Sequence, residues 1–144
     1  MHKRQEKDLI ERVKIIDFGF AIYKTVLEDI PASEKFLGSL NYVAPEVIEQ
    51  QDYDQTIDNF SIGVIMYFML SGVLPFEALV PEETKRLTVE CRPPMDSSHW
   101  KNISSEVKNM INVQAKDLIS KLVAPRNSRI CLNEALKHPW IVDI

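Results

Sequence analysis

The chain has 144 residues, 45% of them hydrophobic, which is enough apolar material for one globular core. Its net charge of -4 and isoelectric point near 5.4 provide no basic field for nucleic acid or an anionic membrane surface, and its Lys and Arg residues are scattered rather than striped. Cys91 and Cys131 stand apart without CxxC or Cys/His spacing, so reduced thiols are expected rather than a disulfide framework or a zinc site.

Met1-His2-Lys3-Arg4-Gln5-Glu6-Lys7 carries no apolar stretch and no small-residue cleavage site, so it does not read as a secretory signal, and a cytoplasmic or nuclear protein is expected. Residues 1–12 are set aside as a segment without motifs. Val13-Lys14-Ile15-Ile16 is a β-branched run ending at Asp17, which predicts a strand delivering an aspartate to a turn. Residues 20–41 have no sustained period and contain Pro31, Ser33 and Gly38, so they read as a loop. Pro45 presets a first helical turn, which predicts a short helix over residues 47–51.

From Asp58, read as a capping residue, the run to Leu70 is apolar around nearly its whole circumference and predicts a buried helix. Its apolar part is under half of the roughly 20 residues that a bilayer requires, so it does not read as a membrane span. Ser71-Gly72 closes the helix. Prolines 75, 81, 93 and 94 keep most of the following stretch irregular, apart from a short helix over residues 82–89. Val107, Met110, Ile111, Ala115, Leu118, Ile119 and Leu122 recur at helical spacing and predict one long amphipathic helix or two abutting ones. Residues 106–111 and 114–119 resemble each other at an offset of eight, as a small duplication or by chance of the shared period. A last short helix is expected over residues 133–137, closed by His138-Pro139-Trp140, with the lone His138 read as structural.

Function rests on an ordered set of short motifs. Val13-Lys14-Ile15-Ile16-Asp17-Phe18-Gly19 is followed by Gly38-Ser39-Leu40-Asn41-Tyr42-Val43-Ala44-Pro45-Glu46, then Asp58-Asn59-Phe60-Ser61-Ile62-Gly63, then Leu70-Ser71-Gly72-Val73-Leu74-Pro75-Phe76. Arg129 and Glu134-Ala135-Leu136-Lys137-His138-Pro139-Trp140 close the series. Any one triplet is weak evidence, but their order and spacing resemble the C-terminal lobe of a eukaryotic Ser/Thr protein kinase across residues 13–144. The chain looks most like the calcium/calmodulin-dependent kinase group, including its protein kinase D and MAP-kinase-activated branches.

The resemblance implies a mainly α, partial kinase C-lobe with its activation segment, and an ATP- and magnesium-dependent parent that phosphorylates protein hydroxyls. It implies Asp17 as a magnesium ligand, because ions bridging ATP phosphates take hard carboxylate oxygens. Phe18 would be a packing switch and Gly19 a hinge. Ser39 would face the catalytic site, Tyr42, Val43, Ala44 and Pro45 would shape the substrate groove, and Glu46 would pair with Arg129 as a buried bidentate clamp. Thr25, Ser33 and Ser39 are candidate phosphosites by position, with a solvated-loop role as the alternative for Thr25 and Ser33.

The same resemblance exposes gaps. His2-Lys3-Arg4 lacks the carboxylate of the family's His-Arg-Asp, and Asp8 is not followed by the required Asn, so no catalytic base can be assigned. The N-terminal lobe has no counterpart in this sequence: neither the glycine-rich loop nor the phosphate-binding Lys and its Glu partner is found. The chain alone is therefore expected to be inactive and to bind neither ATP nor magnesium tightly. An alternative is a pseudokinase-like module that docks proteins. With its neighbours absent, the Asp58–Leu70 helix is expected to leave one apolar flank bare, inviting association with itself or a partner. Phe60 stands where the family has Trp, Ser39 where it has Thr, and Cys131 where a capping Thr is usual, the last a poor cap that costs about 1 kcal/mol.

Overall fold

The computed structural model describes residues 13–23, 38–96, 98–102 and 110–142. Six α-helices run through them in chain order: α1 (Pro45–Ile48), α2 (Thr56–Ser71), α3 (Pro81–Glu90), α4 (Met110–Leu122), α5 (Leu132–Ala135) and α6 (Pro139–Val142). Single 3₁₀ turns cover Ser98–Asn102 and Arg126–Ser128. The fold is mainly α, with no strand among the described residues.

α2 is the axis of the core. Phe60, Val64 and Tyr67 on one face are fully buried, and the ring of Phe60 stacks on Phe76 at 6.0 Å. Tyr67 meets Trp100 edge-on at 5.1 Å, and its hydroxyl donates to the Pro94 carbonyl at 2.9 Å, so the irregular chain after α3 is fastened to the middle of α2. Against the same helix packs α4, whose Ala115, Leu118, Ile119 and Leu122 are buried at the predicted spacing. A glycine makes this approach possible: a Cβ added at Gly63 would lie 2.7 Å from Leu122 Cβ and 2.8 Å from Val123 Cγ1. α2 ends at Gly72, which adopts the left-handed conformation (φ 78°) and donates its N–H to the Phe68 carbonyl at 2.8 Å.

The N-terminus of α2 corrects the capping role expected of Asp58. The helix begins at Thr56, so Asp58 lies in its first turn, and the N-cap position is Gln55, without a side-chain cap. Just ahead of it, Asp54 Oδ1 accepts from the Thr56 N–H at 2.8 Å and from the Thr56 hydroxyl at 2.6 Å.

The strand expected over Val13–Ile16 does not form. Val13, Ile15 and Ile16 are 87%, 82% and 79% exposed, and no described segment lies alongside to accept a ladder of hydrogen bonds, without which β-branched residues have no sheet to pack on. Near the C-terminus the expected single helix is two. α5 stops at Ala135, and Pro139, which cannot continue a helix but can open one, starts α6. Cys131 sits at the N-cap of α5 as expected, and the Glu134 carboxylate compensates by accepting the Cys131 N–H at 3.4 Å. Residues 106–109 of the duplicated pattern and of the predicted long helix lie outside the described residues.

Bare apolar surface does line α2. Ile62, Ile65 and Met69, at 38%, 46% and 76% exposure, recur at three- and four-residue spacing away from the buried face, with Phe68 beside them. Across Asn59 to Ser71 the helix contains no charged residue. Among the described residues no helix is long and apolar enough to cross a membrane.

Candidate functional site

Glu46 stands in the first turn of α1, set by Pro45 at its start, and its side chain is only 3% exposed. Arg129 follows the 3₁₀ turn and reaches Glu46 from 83 residues away in sequence, with its own side chain fully buried. The contact is a fork: Nη1 donates to Oε1 at 2.6 Å and Nη2 to Oε2 at 2.9 Å. The other donors are also engaged, Nη1 on the Thr56 carbonyl at 3.1 Å and Nε on the Ala124 carbonyl at 3.0 Å, and the guanidinium lies 5.1 Å from the Phe60 ring centroid. One cation therefore ties α1, the start of α2 and the end of α4 together.

The segment before α1 is laid on α2 by a second contact. Ser61 Oγ donates to the Tyr42 carbonyl at 2.8 Å, while Tyr42 N–H closes a turn on the Ser39 carbonyl at 2.9 Å. Val43 and Ala44 are buried beneath it, and Ser39 remains exposed. A third anchor lies at the base, where Arg126 bonds the Asp54 carboxylate at 3.0 Å and the Asp52 carbonyl. The Thr56 hydroxyl and N–H, together with Arg126, hold the Asp54 carboxyl down at about 2.

Asp17, Phe18, Ser39, Tyr42, Ala44, Val47, Asp54, Asp58 and Ser61 line one cleft of about 450 Å³. Asp17 and Glu46 thus serve opposite ends of one segment, with the cleft between that segment and the N-terminus of α2. Asp17 is exposed and has a left-handed backbone (φ 61°), its Oδ1 accepting the Gly19 N–H at 3.3 Å. The corner is therefore turned by Asp17 and not by Gly19, the residue expected to act as hinge; a short acid tolerates this conformation by bonding its own backbone. Phe18 is 69% exposed at the cleft edge. Burial raises the Asp58 carboxyl above the usual range, and no described donor offsets it. Thr25 and Ser33 lie outside the described residues.

The comparisons with known proteins agree with this geometry. The sequence model of the protein kinase domain matches residues 2–141. The chain belongs to the protein kinase family. A rice (Oryza sativa subsp. japonica) calcium and calcium/calmodulin-dependent serine/threonine-protein kinase is 33% identical over 95% of this chain and 25% of its own length. Myosin light chain kinase family member 4 from Mus musculus is 36% identical over 92% of the chain and 32% of its own length. Among solved structures, the autoinhibited serine kinase domain of titin aligns with a TM-score of 0.63 at 29% identity, covering 73% of this chain and 30% of that one. The C. elegans twitchin kinase fragment aligns at 0.61 with 35% identity, covering 72% and 22%. The chain thus spans about a quarter to a third of the relatives and structures it matches here, as a partial kinase does. Its relatives include Ser/Thr kinases of the calcium/calmodulin-dependent kind. The family match begins at residue 2, inside the segment that the motifs did not reach.

Protein kinases use ATP and magnesium, and the residues present meet only part of that requirement. Magnesium retains several waters and takes one or two carboxylates plus phosphate oxygens. Among the described residues no three His, Cys, Asp or Glu side chains are grouped to hold a metal, and Asp17 is exposed. Asp54 is committed to Thr56 and Arg126. A phosphate site needs cations as well, and among the described residues no Lys or Arg lines the cleft.

Asp54 and Arg126, outside the motif set, also build this site, and Ser61 and Gly63, inside it, were given no role. Asp54-x-Thr56 ahead of an apolar run was a readable helix-start signal, whereas the Arg126 contact spans 72 residues and has no local signature. His138 is structural as read: buried, it accepts the Trp140 N–H on Nδ1 at 3.3 Å, which leaves Nε2 to donate to Asp117 at 2.8 Å.

Proposed function

We propose that the chain is the C-terminal-lobe part of a Ser/Thr protein kinase of the calcium/calmodulin-dependent group, whose whole protein transfers the ATP γ-phosphate to Ser or Thr hydroxyls of proteins. These 144 residues alone turn over no substrate. The observation that carries the reading is the buried Glu46–Arg129 fork, which anchors the motif segment where α1 begins, while Asp17 lines the cleft alongside Ala44 and Val47 on either side of Glu46 in sequence. Phosphoryl transfer is catalysed by positioning and charge, and among the described residues the cleft holds Asp17 as its candidate magnesium ligand with no Lys or Arg beside it. In the whole protein ATP and magnesium are the cofactors; this chain binds neither tightly. The test is radiolabelled phosphate transfer from ATP to a generic basic peptide by the purified chain, where turnover clearly above blank overturns the inactivity.

The exposed stripe on α2 supports a second reading, a protein-docking module that also associates with its own copies through that face. Sedimentation across a concentration series tests it, and a monodisperse monomer at every concentration removes it. Ser39, exposed on the segment, joins Thr25 and Ser33 as a candidate phosphosite, to be checked by mass spectrometry after treatment with an active upstream kinase. A cytoplasmic or nuclear location accords with the two free thiols, and microscopy of the tagged chain tests it.

A further inference from the structure

We draw no further inference here: the strongest candidate, the cleft of about 450 Å³ between residues 15–22, residues 38–47 and the first turn of α2, where the Asp58 carboxylate meets no described donor, belongs to the site already described, and its acidic wall has no second observation that points to a ligand.

Discussion

Glu46 and Arg129 are joined by two parallel hydrogen bonds of 2.6 and 2.9 Å with both side chains almost wholly withdrawn from water. Such a pair recovers its desolvation only while both partners remain, so truncating either one strands a buried charge. Glu46→Ala and Arg129→Ala are each expected to lose about 3–5 kcal/mol in urea unfolding. The double variant should cost clearly less than the sum, because no charge is then left alone. Arg129→Lys is not a conservative rescue: an ammonium cannot fork onto both oxygens while also serving the Thr56 and Ala124 carbonyls. Additive single and double losses would show that the two residues act independently.

The two glycines at the core and at the end of α2 should fail for different reasons. Gly63→Ala places a methyl 2.7 Å from Leu122 Cβ and must separate α2 from α4, with an expected loss of about 1–3 kcal/mol from overpacking. Gly72→Ala meets nothing within 4 Å, so its cost is the left-handed backbone alone, about 1–2 kcal/mol. Val123→Ala, which removes the Cγ1 that the new methyl would meet at 2.8 Å, should recover part of the first loss and none of the second. Thermal unfolding of the three single and two double variants checks this, and equal rescue of both glycine variants would contradict it.

How much of this was legible depended on the range of the interaction. The apolar run of α2 and the spacing of Ala115, Leu118, Ile119 and Leu122 are local signals, and those helices formed where they pointed; the helix read over residues 47–51 instead opens at Pro45 and ends at Ile48, and Pro81, read as a breaker, opens α3. The Glu46–Arg129 contact was readable across 83 residues only because a family pattern supplied it; nothing local pairs those charges. The failures were of context. Val13–Ile16 has strand composition without a described strand beside it, and Asp58 misses the cap position because the helix already opens at Thr56, whose N–H and hydroxyl Asp54 holds. Asp17 took the left-handed corner that its glycine neighbour was expected to take.

Acid should act on those two aspartates in opposite senses. Asp54, held at about 2, contributes stability that is present above the ordinary carboxylate value of about 3.9 and is lost as pH falls from there toward 2. Its side chain is 42% exposed, so solvent screens much of that contribution. Asp58 is raised by burial, so its charged form opposes folding, and the penalty appears as pH rises through and above the ordinary value. Asp54→Ala should destabilise at pH 7 and flatten the acid limb below pH 4. Asp58→Asn should stabilise at pH 7 and make no difference once the acid is protonated. Melting temperatures from pH 2 to 8 decide it, and an Asp58→Asn variant less stable than the parent chain at pH 7 would refute the assignment.

The two thiols should differ in reactivity. Burial pushes the Cys91 thiol up to about 11, leaving little thiolate at neutral pH, whereas Cys131 is exposed at the start of α5. A chromogenic disulfide reagent at pH 8 is expected to titrate Cys131 rapidly and Cys91 only on unfolding. Two fast equivalents in the folded chain would contradict the burial of Cys91.

The exposed and buried sides of the core should separate stability from association. Ile119 is fully buried between α4 and α2, so Ile119→Ala removes packed methylenes and should cost about 2–5 kcal/mol. Ile65 and Met69 face outward on α2, so Ile65→Lys with Met69→Lys should change the unfolding free energy by only about 0.5 kcal/mol. The same pair places two cations in a charge-free stripe and should shift the chain toward monomer in sedimentation, with higher solubility. If association persists unchanged in the lysine variant while unfolding remains cooperative, the interface lies elsewhere on the molecule. If the lysine variant is as destabilised as Ile119→Ala, α2 is covered on that side within the chain itself, and its outer face is not a docking surface.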